Sequence, residues 1–125
     1  MSIPFIDLKS QYKLLQSKID QAVLDVMEHG QFILGPYVEA FENEMTDYVG
    51  CNSTVSVANG TDGLILPMMA WGIGPGDAVF LPAFTYTATA EVVVLLGATP
   101  VFVDVDPVSF NIDLNALKAE IDTVK

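Results

Sequence analysis

The sequence contains no arginine, five lysines, one cysteine and one histidine. Its sixteen acidic residues give a net charge of −11, the wrong sign for a protein that must neutralise nucleic-acid phosphates. The single cysteine, Cys51, excludes an internal disulfide, and its neighbours carry no positive charge, which predicts a buried or unreactive thiol. The single histidine, His29, lies in a predicted loop, and a histidine-based metal cluster or catalytic triad has no further histidine to draw on.

Long apolar runs and a leader segment are also missing. The two longest apolar stretches, residues 63–73 and 92–103, are too short or too interrupted to cross a bilayer, which takes about 20 residues. Residues 1–8 lack the cationic stretch followed by an apolar run that marks a signal peptide. The sequence therefore predicts a cytoplasmic protein with neither a membrane nor a nucleic acid as its partner.

What the sequence does contain is apolar residues, which make up 51% of its 125 positions and give a mean hydropathy of +0.44. This composition excludes a disordered chain and predicts apolar surface that needs a partner. Apolar residues at helical spacing predict a first amphipathic helix within residues 11–27. Gly35-Pro36 then opens a second helix that ends at Gly50, with a loop over residues 29–36 between the two.

From residue 54 onward, short β-rich runs alternate with helical runs. The predicted strands span residues 54–58, 78–81 and 100–105, and a predicted helix follows each of them. Because the connections are long enough for helical crossovers, we expect parallel strands with helices on both faces of the sheet. The apolar face of the last helix continues to the chain end without a cap, which predicts the N-terminal piece of a longer polypeptide.

The segment Asn59-Gly60-Thr61-Asp62-Gly63 joins the first predicted strand to a helix. Ligands of open α/β sheets bind at the carboxyl ends of the strands, where a helix N-terminus offers unpaired N–H groups and a partial positive charge. The segment predicts an anion cradle for a phosphate, in which Thr61 adds its hydroxyl and Asp62 contributes only its N–H. A capped turn without a ligand is the alternative.

Other candidate residues carry weaker signals. Phe84 and Tyr86 follow the second predicted strand, where an aromatic ring either stacks on a flat ligand or packs in the core. Asp104 and Asp106 are spaced to bind a metal ion or to act as acid and base, although turns and helix caps use such residues more often. The glycines within residues 72–76 follow a helix and precede a strand, the reverse of the dinucleotide-binding order.

Several ordered motifs together resemble the N-terminal part of the DegT/DnrJ/EryC1/StrS family, the pyridoxal-phosphate-dependent aminotransferases that act on nucleotide-linked keto-sugars. The motifs cover residues 3–8, 30–36, 41–42, 59–62, 72–77, 85–90 and 97–106. The resemblance implies an α/β fold, part of the three-layer large domain of fold-type I aminotransferases, with a mostly parallel sheet. It divides the chain into an N-terminal helix and substrate-side loop (1–36) and a cofactor-binding portion (37–125), and it implies a homodimer.

The resemblance also assigns roles to individual residues. Gly60, Thr61 and Asp62 would hold the phosphate of pyridoxal 5'-phosphate, chiefly through backbone N–H groups, and Tyr86 would stack on the pyridine ring. The substrate-side loop would contribute Gln31, Phe32 and Gly35. In the family's chemistry glutamate commonly donates the amino group to the cofactor, which passes it to a ketone of the sugar.

Two features put details of this assignment in doubt. The Schiff-base lysine and the acidic partner of the pyridine nitrogen belong to the family's chain beyond Lys125, so we expect these 125 residues alone to be inactive. Gly63 stands where the family usually has alanine, and Pro67 lies inside the predicted helix. A non-catalytic sensor or binding module and an inactive truncated remnant are therefore the alternatives.

Overall fold

The computed structural model describes residues 5–124, so positions 3 and 4 of the first family-like motif and Lys125 lie outside the described residues. The helices and strands are α1 Leu8–His29, α2 Pro36–Val49, α3 Gly60–Ala70, β1 Ala78–Pro82, α4 Ala88–Leu95, β2 Thr99–Val103 and α5 Leu114–Thr123. The chain divides into two compact units, Met1–Ser56 and Val57–Lys125.

The first unit contains α1 and α2, and each of these helices has clear end signals. The Asp7 side chain accepts a hydrogen bond from the Ser10 N–H at 3.1 Å at the start of α1, which ends at Gly30 with a left-handed φ of 72°. Pro36 occupies the first turn of α2, and Gly50 ends it with a φ of 73°. The two helices and the glycine stops predicted from the sequence are confirmed.

Polar contacts link the elements of the first unit. The Tyr37 hydroxyl donates to Asp25 Oδ2 at 2.9 Å, and this hydrogen bond raises the pKa of Tyr37. Glu42 Oε1 accepts a hydrogen bond from the Ser56 N–H at 2.7 Å. No residue of α1 or α2 is buried, whereas Gly35 between them is. The described part of this unit therefore leaves the apolar faces of its two helices exposed.

The second unit contains a two-stranded parallel sheet. Its register runs from Ala78 beside Thr99 to Pro82 beside Val103, and α4 provides the crossover that a parallel pair requires. The prediction of a strand over residues 54–58 is wrong, because this segment pairs with no strand in the described part of the chain. A β-rich sequence becomes a strand only when a neighbouring strand accepts and donates its backbone hydrogen bonds.

Helices cover both faces of this sheet. The buried cluster on one face consists of Leu81, Val92, Val93 and Ala98, and partly buried side chains of α3 pack against it. Leu117 and Ile121 of α5 line a groove with Phe80, whose side chain points away from the Leu81 face because successive strand residues alternate. The predicted α/β fold, with helices on the two faces of a parallel sheet, is confirmed.

Pro67 does not interrupt α3. The helix continues to Ala70, and the proline removes only the N–H that would have reached the Gly63 carbonyl. The end of the helix is closed by Gly72, at a φ of 75°, and by the Ile73 N–H, which donates to the Met68 carbonyl at 3.0 Å. Among the described residues, no helix combines the length and the apolar character that a membrane span requires.

We expect Gly63→Ala to raise the free energy of unfolding by about 0.5–1 kcal/mol, because glycine inside a helix is less favourable than alanine by that amount. The added Cβ would meet Val57 Cγ2 at 3.6 Å, an ordinary contact. Thermal melting measures the effect. Gly50→Ala is the control, because it adds a methyl group in open space but at a left-handed φ of 73°, and it should lower stability. A Gly63→Ala protein that melts no higher than the unmodified one would contradict the expectation.

Candidate functional site

The start of α3 is organised by the side chain of Asn59. Its Oδ1 accepts the Asp62 N–H at 2.9 Å, its Nδ2 donates to Asp62 Oδ2 at 3.1 Å, and its carbonyl accepts the Gly63 N–H at 3.1 Å. Within the described part of the chain, no acceptor takes the N–H of Gly60 or of Thr61. These two donors therefore stand free at the positive end of the helix dipole.

An open groove of about 390 Å³ lies beside these free donors. It is lined by Gly60, Thr61, Leu64, Tyr86, Ala88 and Thr89. Tyr86 is 80% exposed, and outside its chain neighbours and its own helix backbone no atom lies within 4 Å of where a Cβ on Gly60 would be, so the backbone there is open to a ligand. Three of the four residues predicted to contact a cofactor thus border one groove, together with Leu64, Ala88 and Thr89, which the sequence analysis did not single out.

Asp62, the fourth predicted residue, does not line the groove. Its N–H, expected to be a donor to the phosphate, is instead hydrogen-bonded to Asn59, because a helix N-cap takes the N–H of the second or third helical residue. Its carboxylate is held by the same asparagine. The spacing of an asparagine and an acidic residue three positions later is typical of reciprocal capping, and this signal in the sequence identifies the pair.

The two candidate aromatic residues have different surroundings. The Phe84 ring packs against Phe110, with ring centroids 5.8 Å apart and planes tilted by 44°. Tyr86 instead borders the groove beside the start of α3. A hydroxyl contact of 3.0 Å between Thr85 and Thr89 joins the segment that carries Tyr86 to the first turn of α4. Of the two rings, Tyr86 is the one available to a flat ligand in this groove.

The predicted substrate-side loop lies in the first unit. The Gln31 N–H donates to His29 Nδ1 at 3.0 Å, and the His29 ring stacks on Tyr37 with centroids 6.4 Å apart. Phe32 lines an apolar groove of about 310 Å³ with side chains of α1, and Gly35 is buried. His29 is the last residue of α1 rather than a loop residue, and its role is to accept a hydrogen bond at the helix end.

The side chains of Asp104 and Asp106 accept hydrogen bonds from backbone N–H groups close to them in the chain. Asp106 Oδ1 accepts the N–H groups of Val108 and Ser109 at 3.0 and 2.7 Å, and the bond from Ser109 lowers the pKa of Asp106 below its ordinary value. Asp104 Oδ1 accepts the N–H of Val105 at 2.8 Å. The described residues contain no group of three or more histidine, cysteine, aspartate or glutamate side chains suited to a metal ion. The turn interpretation therefore accounts for both aspartates.

Cys51 is exposed, so of the two expected alternatives, a buried or an unreactive thiol, the first is wrong. It follows the left-handed Gly50, where the chain leaves α2 and turns toward solvent. Its Sγ donates to the Ser53 carbonyl at 3.4 Å.

Known sequences resemble this chain over most of its length. The sequence model of the DegT/DnrJ/EryC1/StrS aminotransferase family matches residues 13–124. The UDP-2-acetamido-2-deoxy-3-oxo-D-glucuronate aminotransferase of Pseudomonas aeruginosa is 52% identical over 119 residues, which are 95% of this chain and 33% of that protein. A pleiotropic regulatory protein of Geobacillus stearothermophilus is 40% identical over 121 residues, which are 97% of this chain and 32% of that protein.

Solved structures agree with the sequence comparison. A DegT DnrJ EryC1 StrS aminotransferase from Brucella abortus superposes with a TM-score of 0.94 at 48% identity, over 98% of this chain and 33% of that one. NtdA from Bacillus subtilis, with bound cofactor PMP, superposes with a TM-score of 0.87 at 29% identity, over 94% of this chain and 27% of that one. The chain spans about a third of the length of the curated relatives it matches. It belongs to the DegT/DnrJ/EryC1/StrS aminotransferase family.

Proposed function

We propose that the polypeptide carrying this sequence is a pyridoxal-phosphate-dependent aminotransferase that transfers an amino group, donated by glutamate, to a keto group of a nucleotide-linked sugar. The observation that carries the proposal is the groove that brings the free N–H groups of Gly60 and Thr61 beside the Tyr86 ring. The relatives support the reaction class, since family aminotransferases depend on pyridoxal phosphate and the P. aeruginosa relative is named for a nucleotide-linked sugar.

The residues of the groove fit the two ends of such a cofactor. A phosphate dianion matches two unpaired backbone donors at a helix N-terminus, where the helix dipole favours negative charge. The Thr61 hydroxyl is a third donor on the same wall. At the other end, an exposed tyrosine ring gives a flat aromatic heterocycle a surface on which to stack. A site of this kind recognises both the charge and the planar shape of its ligand.

In the proposed reaction these residues bind and orient. Gly60 and Thr61 anchor the phosphate, and Tyr86 fixes the plane of the ring, so that the reacting substituent is held in one direction. When bound, the cofactor supplies the electron sink that amino transfer requires. Gln31, Phe32 and Gly35 are proposed to lie near the sugar nucleotide. We further propose a cytoplasmic homodimer. These 125 residues contain no arginine, so the cationic partners of the nucleotide phosphates are proposed to come from the rest of the polypeptide or from the other subunit.

Proton transfer in this chemistry requires a lysine at the cofactor. The structure describes four lysines, and none of them lines the groove: Lys9, Lys13, Lys18 and Lys118. The first three lie on α1 and the fourth on α5. We therefore propose that the reactive lysine belongs to polypeptide beyond Lys125.

Reduction of the protein with its cofactor tests the proposal. The polypeptide is expressed from its own gene, incubated with pyridoxal phosphate, reduced with borohydride and analysed by intact mass and peptide mapping. We expect one cofactor adduct, on a lysine outside these 125 residues, and none when the cofactor is omitted. An adduct confined to one of the five lysines of this sequence would contradict the proposed position of the reactive lysine.

A regulatory or sensor protein that keeps the fold without the reaction is the second candidate. The observation that favours it is the 40% identity to a relative named as a pleiotropic regulatory protein. The same experiment separates the two functions, because a sensor without the lysine would bind the cofactor reversibly and lose it after reduction and denaturation. An inactive truncated remnant would show neither adduct nor reversible binding.

A further inference from the structure

The first turn of α3 presents an electrostatic conflict. Asp62 places a carboxylate one residue after Thr61, whose N–H is one of the two free donors of the groove. A negative charge at this point stabilises the helix but repels an anion bound at the same helix end. The carboxylate nevertheless does not line the groove.

The Asn59 side chain accounts for this placement. Its amide nitrogen donates to Asp62 Oδ2 at 3.1 Å while its amide oxygen accepts the Asp62 N–H at 2.9 Å. An amide is suited to both tasks because it carries a donor and an acceptor on one planar group. The two hydrogen bonds hold the Asp62 side chain against Asn59. They also leave the Asp62 N–H unavailable to a ligand. The donors left for a ligand are those of Gly60 and Thr61.

We infer that Asn59 is a positioning residue, which holds the Asp62 carboxylate away from the anionic group bound at Gly60 and Thr61. The inference rests on the proposed function, since it concerns the phosphate end of the same groove. It assigns a task to a side chain that does not touch the ligand. It also explains how a strongly acidic chain keeps an anion site beside one of its own carboxylates.

The test compares two cofactor forms that differ only in the phosphate. The polypeptide is expressed from its own gene, and its dissociation constants for pyridoxal phosphate and for pyridoxal are measured by absorbance titration. The variant Asn59→Gly removes the amide but keeps a residue that starts helices nearly as well. We expect it to weaken pyridoxal phosphate binding about five- to tenfold and to change pyridoxal binding less than about twofold.

A second-site variant identifies the cause of the loss. In the background Asp62→Asn, which has no carboxylate charge, Asn59→Gly should weaken pyridoxal phosphate binding less than about twofold. The control for the loss of a helix cap is Asp113→Ala, because Asp113 caps α5 by accepting the N–H groups of Asn115 and Ala116 at 2.7 and 3.1 Å. This variant should leave both affinities unchanged.

The binding constants of these variants decide between a positioning role and a purely structural role for Asn59. Equal losses for the two cofactor forms in Asn59→Gly would overturn the inference, because a purely structural role affects the whole groove. An undiminished effect of Asn59→Gly in the Asp62→Asn background would overturn it as well, since the carboxylate would then not be the cause. If the unmodified polypeptide binds neither cofactor form, the proposed function fails and the inference with it. Binding by the unmodified protein with no loss in Asn59→Gly overturns the inference alone.

Discussion

Replacing Tyr86 by alanine is expected to weaken pyridoxal phosphate binding about 10- to 100-fold. The ring borders the groove and is 80% exposed, so a bound heterocycle gains a stacking surface that alanine does not provide. Stacking of a heterocyclic base on an aromatic side chain contributes about 1–3 kcal/mol, which corresponds to a change of that order in affinity. Tyr86→Phe keeps the ring and should bind within about twofold of the unmodified protein. Absorbance titration of the natively expressed polypeptide measures both variants.

Phe84→Ala is the matched control for this prediction. Phe84 also follows β1, but its ring packs on Phe110 at a centroid distance of 5.8 Å and does not line the groove. We expect its loss to lower stability while cofactor affinity changes by less than about threefold. The stacking role of Tyr86 would be refuted if Phe84→Ala weakened binding as much as Tyr86→Ala, or if Tyr86→Ala bound as tightly as the unmodified protein.

Gly35→Ala is expected to destabilise the start of α2 by about 1–3 kcal/mol or more, since inserting a methyl group into a closely packed position forces the backbone to move. Gly35 is buried, and an added Cβ would collide with the Gln31 carbonyl oxygen. That oxygen belongs to the backbone and cannot rotate away. A shift of Gly35 would also disturb its carbonyl, which accepts the N–H groups of Val38 and Glu39 at 2.9 and 3.2 Å.

Thermal melting and amide exchange of the α2 N–H groups measure the effect of Gly35→Ala. Gly74→Ala is the control, because its added Cβ would meet only the Leu96 carbonyl oxygen at 3.7 Å, an ordinary contact. Its stability should change by less than about 0.5 kcal/mol. If Gly35→Ala melted like Gly74→Ala, the collision with Gln31 would be relieved at little cost and the expectation would be wrong.

Local signals explain most of what could be predicted from the sequence. Gly30 and Gly50 end their helices in the left-handed conformation that glycine adopts without a steric penalty, and Pro36 opens a helix with a preset φ. The cradle proposed at Gly60 and Thr61 also rests on a local pattern, two glycines at the start of a predicted helix. These features depend on neighbours within a few residues along the chain.

The structure differs from the sequence predictions for both non-local and local reasons. Residues 54–58 have the composition of a strand but find no strand partner in the described part of the chain. The Asp62 N–H, expected to donate to a ligand, donates instead to Asn59 three residues earlier, a local contact that the capping pattern indicates. The resemblance favours Tyr86 over Phe84 as the stacking ring, and the structure gives the two different surroundings, because Phe84 packs on Phe110 whereas Tyr86 lines the groove.

The sequence by itself determined the helices and their ends, the α/β class and the family. Helix caps, helix stops and the order of the motifs each depend on short segments of the chain. Only the tertiary structure decided which strands pair and that the start of α3 meets Tyr86 in one groove. The physical reason is that strand pairing and groove formation depend on distances between residues far apart in the chain. These distances are set by the packing of Leu81, Val92 and Val93.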